Sequence, residues 1–237
     1  MNAAYIIDEL VNLKNPEKAH ILQRFFKTGK GQYGEGDVFL GITVPQIRAL
    51  VKKYKLIDIF DIQTLLFSQY HESRMAGLFF LINVFNEEKK ENETKKIYDF
   101  YIKNVNYINN WDLVDLSAPN IVGHYLFEKD TSDLYRYAQA SHLWLQRISI
   151  VSTYYFIRQG DIKTTFEISS ILQNHPHDLI HKAVGWMLRE AGKKNFEAEY
   201  QYLSENKRYL SMPRTMLRYA IEKFPEELRQ NFLKNKI

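Results

Sequence analysis

The 237-residue sequence has no cysteine, which excludes disulfides, cysteine-ligated iron–sulfur clusters and thiol nucleophiles. Glycine (10) and proline (6) are scarce beside 16 tyrosines and 15 phenylalanines, a balance that favours helices over a turn-rich β architecture. No apolar run approaches the roughly 18 residues needed to span a bilayer, so no membrane partner is expected. The N-terminal stretch MNAAYIIDELVNLKNPEK has no basic region followed by an apolar run, and Asp8 and Glu9 interrupt it early. It does not read as a signal peptide, and a cytoplasmic, bacterial-type protein is expected. What is present is ordinary for a globular chain: 45% hydrophobic and 25% charged residues, enough for one sizeable core. A single domain over 1–237 follows. The formal net charge of +4 hints weakly at a polyanionic partner.

Apolar residues recur at helical spacing almost everywhere outside 29–45, as in LLFSQYHESRMAGLFFLINVF, LWLQRISIVSTYYFIRQG and LIHKAVGWMLREAGKK. The charged run NEEKKENETKK reads as solvated surface. A polar or aromatic residue precedes the apolar run of each buried helix at Arg74, Trp111, Arg147, Lys182 and Arg214, with separations of 37, 36, 35 and 32 residues. That near-constant period predicts an all-α fold, an α-solenoid of HEAT-like two-helix repeats. Six or seven helix pairs are expected in a right-handed superhelical crescent. In such an array equivalent positions line one concave face, here a basic groove, because four of the five are Arg or Lys and Arg189 and Arg218 lie nearby. A row of cations with interleaved aromatics suits a nucleic-acid backbone. The competing reading is that each Arg or Lys bonds a neighbouring repeat.

One segment breaks the pattern. KTGKGQYGEGDVFLGITVP (27–45) holds five of the ten glycines. With the strand-like VFLGITV, it predicts a short β-hairpin insert near 29–42. It lacks the Gly-Lys-Ser/Thr of a P-loop. Pro45 is expected to start the next helix, PQIRALVKKY, at its first position.

The stretch YINNWDLVDLSAPNIVG (107–123) is the most informative. Asn109 or Asn110 is a natural N-cap, and Asp112 sits in the first turn against the helix dipole. Trp111 and Asp115 are i and i+4 on one face, with Leu113 and Leu116 turned toward the core. Pro119 has no N–H, so the carbonyl of Asp115 loses its usual donor and a kink is expected. The chain has only three tryptophans. Trp186 lies one turn past Lys182, two repeats after Trp111, and Arg147, preceded by Trp144, falls between them. Other constellations are weaker. His177 and His181 are i and i+4, with His175 beyond Pro176, but NHPHDLIHK reads as a loop and helix start rather than a metal site. Asp112 and Asp115, neighbours on one helix, cannot flank a glycosidic bond from opposite sides.

NNWDLVD, WLQRISI and KAVGWMLRE, with FLGITVPQIR upstream, resemble the DNA alkylation-repair proteins built from HEAT-like repeats, the AlkD type. The resemblance runs from about residue 20 to 225 in the right order and spacing. It implies a DNA glycosylase removing positively charged alkylpurines such as N7-methylguanine and N3-methyladenine from duplex DNA, as a monomer without metal or cofactor. By motif, the family's catalytic aspartate falls on Asp115, its two sugar-contacting tryptophans on Trp111 and Trp186, and its backbone-binding arginine on Arg147. Lys182, Arg189, Arg214 and Arg218 would add DNA contacts, as would Gln32 and Tyr33 in the glycine-rich insert, in a cytoplasmic, nucleoid-associated repair protein. Two departures stand out: Thr43 occupies a place where some of the family's glycosylases carry glutamine, and the segment 29–41 is longer than in the simplest members. A projecting hairpin would favour a second reading, a non-catalytic or weakly catalytic binder of branched or distorted DNA. A protein-binding helical scaffold is the third.

Overall fold

The computed structural model describes residues 2–54 and 57–237, and every candidate residue named above lies within them. The architecture is all-α and solenoid-like, as the periodicity predicts. In chain order the helices are α1 (Ala3–Asn12), α2 (Pro16–Phe25), α3 (Val44–Tyr54), α4 (Ile59–Leu66), α5 (His71–Glu87), α6 (Glu91–Lys103) and α7 (Trp111–Ala118). There follow α8 (His124–Leu126), α9 (Ser132–Gln139), α10 (Leu143–Gln159), α11 (Lys163–Leu172) and α12 (Asp178–Lys194). The last four are α13 (Phe196–Ser204), α14 (Arg208–Ser211), α15 (Arg214–Ala220) and α16 (Glu226–Leu233). Among the described residues there is no β-strand, only an isolated parallel bridge between Val38 and Tyr70. The chain divides into two compact units, Met1–Ser117 and Ala118–Ile237.

In the first unit α5 is the central helix, with α1, α3, α4 and α6 packed on it. Residues 71–81 are buried without interruption, so α5 has no solvent face along its first three turns. Three of those residues, His71, Glu72 and Arg74, are ionisable, and burial obliges each to find a partner. Helix starts are set by local chemistry. Asn2 and Asn15 accept the N–H groups of Tyr5 and Lys18, and Pro16 opens α2. At α3, Thr43 and Gln46 form a reciprocal capping box: the Thr43 N–H donates to Gln46 Oε1 at 3.0 Å, and the Gln46 N–H donates to Thr43 Oγ1 at 3.4 Å. Thr43 thus starts the helix.

In the second unit α10, α12 and α15 form the inner layer, α10 against α12 and α12 against α15, while α9, α11 and α13 lie outside them. Two glycines permit the close approach. A Cβ on Gly123 would sit 2.3 Å from the Ser152 carbonyl oxygen of α10. One on Gly185 of α12 would sit 2.4 Å from the Met216 carbonyl oxygen of α15. Residues Pro119–Gly123 adopt a π-helical turn, so the missing N–H of Pro119 is accommodated by an i→i+5 pattern where a kink is expected. His177 caps α12, its Nδ1 accepting the Leu179 N–H at 3.1 Å. His181 Nε2 is bonded to the His175 carbonyl.

Glu199 on α13 is buried, and its Oε1 has no hydrogen-bond partner. Burial pushes its pKa up to about 9, against a small opposing pull from Arg189. The folded state therefore holds a proton that the unfolded chain releases, and stability falls as pH rises from 4.5 toward 9. Glu199→Gln removes this cost. The variant is expected to gain on the order of 2–3 kcal/mol at neutral pH and nothing at mildly acidic pH. Denaturant unfolding across pH checks it; a gain that does not vary with pH would contradict the assignment.

Candidate functional site

Helix α7 begins directly after Asn110, whose Oδ1 accepts the Trp111 N–H at 2.9 Å. Leu113, Val114, Ser117 and Ala118 are buried, whereas Trp111, Asp112, Asp115 and Leu116 are half-buried. The indole and the carboxylate one turn later therefore share a side that reaches solvent. Leu116 does not enter the core as expected; Val114 does. The buried side is pinned by polar contacts: Ser117 Oγ donates to the Leu113 carbonyl at 2.5 Å and lies 2.8 Å from the Tyr101 hydroxyl. Burial raises the Tyr101 pKa, and the negative charge of Asp115 raises it further.

Trp111 is the last ring of an aromatic stack. His71 stacks on Phe39 (centroids 4.3 Å apart), Phe39 on Phe26 (5.0 Å), and Phe26 on Trp111 (5.1 Å). Phe25, 62% exposed at the end of α2, meets the indole edge-on at 6.1 Å. One indole face is thus covered by core side chains, which fixes the ring plane.

Beneath the stack lies an ionic cluster absent from the sequence-based expectations. Asp37 is buried, and its two oxygens take four side chains: Arg74 on Oδ1, His71 Nδ1 on Oδ2 at 3.1 Å, Asn109 Nδ2 on Oδ1 and Asn110 Nδ2 on Oδ2, both at 3.2 Å. Burial alone would raise the Asp37 pKa; His71, Arg74 and Asn110 together hold it below the usual carboxylate range. His71 Nε2 lies 2.9 Å from Asp112 Oδ2. A carboxylate only accepts, so both ring nitrogens must carry protons and His71 is an imidazolium. Burial opposes that charge, but Asp112 and Asp37 outweigh it and lift the pKa to about 9. The stability this link supplies is complete below the ordinary histidine range and is lost as pH rises through about 9.

The glycine-rich segment does not form the expected hairpin. It folds as consecutive turns, and the backbone donors a ladder would need are taken by one side chain. Glu72 accepts the N–H groups of Leu40, Gly41 and Ile42 at 2.9, 2.8 and 3.2 Å. With Asp37 drawn inward, the segment lies against α5. Gln32 is exposed but folds back, its Oε1 accepting the Gly29 N–H at 3.0 Å; Tyr33 is half-buried.

The repeat positions fall at or near a helix start, but most of their cations serve packing. Arg74 is on Asp37. Arg147, 4% exposed, donates to the Leu179 carbonyl of α12. It is thus a stacking residue between inner helices, not the open phosphate ligand expected. Lys182 pairs with Asp178 at 2.7 Å, and Arg189 is held by Glu190 and Glu222. Arg214 donates to the Leu233 carbonyl at 2.8 Å, and Arg214 and Arg218 are exposed. Trp186 is half-buried on α12, its ring 5.8 Å from Tyr154. Trp144 is core. The motif pairs in α7 were legible from spacing; Asp37, His71 and Glu72 were not, because their partners are 30 to 73 residues away. Arg147→Ala is expected to lower stability by about 1.5–3 kcal/mol, the scale of a hydrogen bond from a charged donor. Urea unfolding reads it, and an unchanged midpoint would show that this bond does not hold α10 to α12.

The sequence model of the family described as DNA alkylation repair enzyme matches residues 6–224. A solved structure titled as a predicted DNA alkylation repair enzyme from Enterococcus faecalis superposes with a TM-score of 0.69 at 17% identity. The match covers 90% of this chain and 97% of that one, a likeness of fold. No curated protein matches the sequence. With a family match spanning nearly the whole chain, this protein belongs to the DNA alkylation repair enzyme family.

Proposed function

We propose that the protein is a DNA glycosylase that hydrolyses the N-glycosidic bond of cationic alkylated purines, N7-methylguanine and N3-methyladenine, in duplex DNA. The observation that carries the reading is the pairing on α7: a half-buried indole of fixed plane and, one turn on, a half-buried carboxylate, in a chain of this family. A purine alkylated at N3 or N7 already carries positive charge and leaves readily. The sugar left behind develops oxocarbenium character, and stabilising that cation is most of the work. A carboxylate about 4 Å from a unit positive charge contributes on the order of 4 kcal/mol at an effective dielectric near 20. That is roughly three powers of ten in rate. Asp115 takes that role and orients the attacking water. Trp111 offers its uncovered face to the sugar, as a ring quadrupole attracts a cation. The family resemblance alone gives Trp186 as the second indole. A neutral base would not leave so easily, which restricts the activity to charged lesions. No step calls on a metal or cofactor.

The branched-DNA reading depended on a projecting hairpin. The segment instead folds on α5 and supplies Asp37 to the base of α7, which favours catalysis over a wedge. Arg214, at a repeat position, and Arg218, one turn later, are exposed and are the cations proposed to meet phosphates.

Asp115→Asn is expected to abolish base release from methylated duplex DNA while affinity is retained or raised, because a negative charge near phosphates is removed. Release of N7-methylguanine at the wild-type rate would overturn the assignment. Arg218→Ala is expected to flatten the slope of log K against log salt by about one. Gln32→Ala with Tyr33→Ala, assayed on linear and four-way junction DNA, should leave any preference unchanged; loss of a junction preference would revive the wedge reading.

A further inference from the structure

The buried link Asp37–His71–Asp112 has no part in the chemistry just described, yet it ends on the first turn of the helix that carries Trp111 and Asp115. His71 is 1% exposed and reaches neither solvent nor a nucleotide. Its two ring nitrogens join two segments far apart in sequence: Asp37 of the turn segment at 3.1 Å and Asp112 of α7 at 2.9 Å. The imidazole also begins the ring stack that ends on the Trp111 indole. Asn109 and Asn110, just before α7, bond the same Asp37 carboxylate. The start of α7 is therefore held from two directions by one buried anion and one ring.

We infer that His71 is a positioning residue: by bridging Asp37 and Asp112 it fixes the first turn of α7, and with it the plane of Trp111 and the placement of Asp115. The inference rests on the glycosylase reading only for its kinetic consequence; its structural part stands without it. The charged groups facing His71 are Asp37 from the turn segment, Asp112 from α7 and Arg74 from α5 itself. Phe26 after α2 and Phe39 of the turn segment present only apolar rings to it. Losing the imidazole proton leaves one of two carboxylates without its donor, and Asp112, the more exposed of them, is the one able to turn to water. The first turn of α7 then loosens while Asp37 keeps Arg74 and the asparagines. The link is thus a titratable restraint on the site, closed at neutral pH and released in alkali.

The test uses the uniformly 15N-labelled full chain. The indole Nε1–H cross-peak of Trp111, assigned with Trp111→Phe, is followed upward in pH together with the His71 imidazole signals. Both are expected to move with a common midpoint near 9. In His71→Gln, and in Asp112→Asn if that first variant does not fold, the Trp111 peak should lose this inflection. A Trp111 signal that stays still while His71 titrates, or that keeps its inflection in Asp112→Asn, overturns the inference. On methylated duplex DNA, kcat for base release should fall through the same midpoint with KM held. Asp112→Asn should lower kcat roughly ten- to a hundredfold, the cost of a small misplacement, and lose the alkaline limb. A normal alkaline limb in that variant would also count against the role. If wild-type protein releases no base, the glycosylase reading fails, and the spectroscopic titration still decides whether His71 positions α7.

Discussion

The first unit depends on one buried carboxylate. Asp37 lies inside with four donors on its two oxygens, one from a guanidinium, one from an imidazolium and two from asparagine amides. A charge in that setting is tolerable only when its partners are all present. Removing one leaves an anion without compensation, which costs far more than the pair contributes over an apolar substitute. The value of such a cluster is therefore specificity. It permits one arrangement of the turn segment, the first turn of α5 and the residues that open α7.

Glu72 extends the same logic to backbone. Its carboxylate takes three consecutive N–H groups from 40–42, so a strand-like sequence is held as an irregular, buried connection. Charge-assisted bonds of this kind are roughly twice as strong as neutral ones, enough to compete with a two-stranded ladder of marginal stability. The glycine-rich segment thereby becomes a brace for α5 and α7. The aromatic stack above it transmits the constraint: each ring from His71 through Phe39 and Phe26 to Trp111 is in contact with the next, and little freedom is left to the indole.

The repeat positions carry a second lesson about charge. A position recurring every 32–37 residues, and holding a cation at four of its five occurrences, reads as an electrostatic track; the same spacing follows when a helix pair needs a long donor to reach the next. Arg147 does so toward Leu179. Arg74 does its bonding within the first unit, to Asp37. The net positive charge of the chain is thus a poor guide to which cations meet a polyanion, because several are neutralised by carboxylates or spent on carbonyls.

The sequence by itself determined the all-α class, the repeat period and the shared face of Trp111 and Asp115. All of these are set by residues within about four positions of one another or by apolar spacing. The caps of α1 and α2 and the capping box of α3, the last in the four residues TVPQ, were equally local and could have been read there. Only the tertiary structure decided that the glycine-rich segment makes no hairpin, that Arg147 is enclosed, and that Asp37, His71 and Asp112 form one link. Those outcomes turn on pairings across 30 to 73 residues, where burial selects which polar groups must meet and no local preference can name the partner.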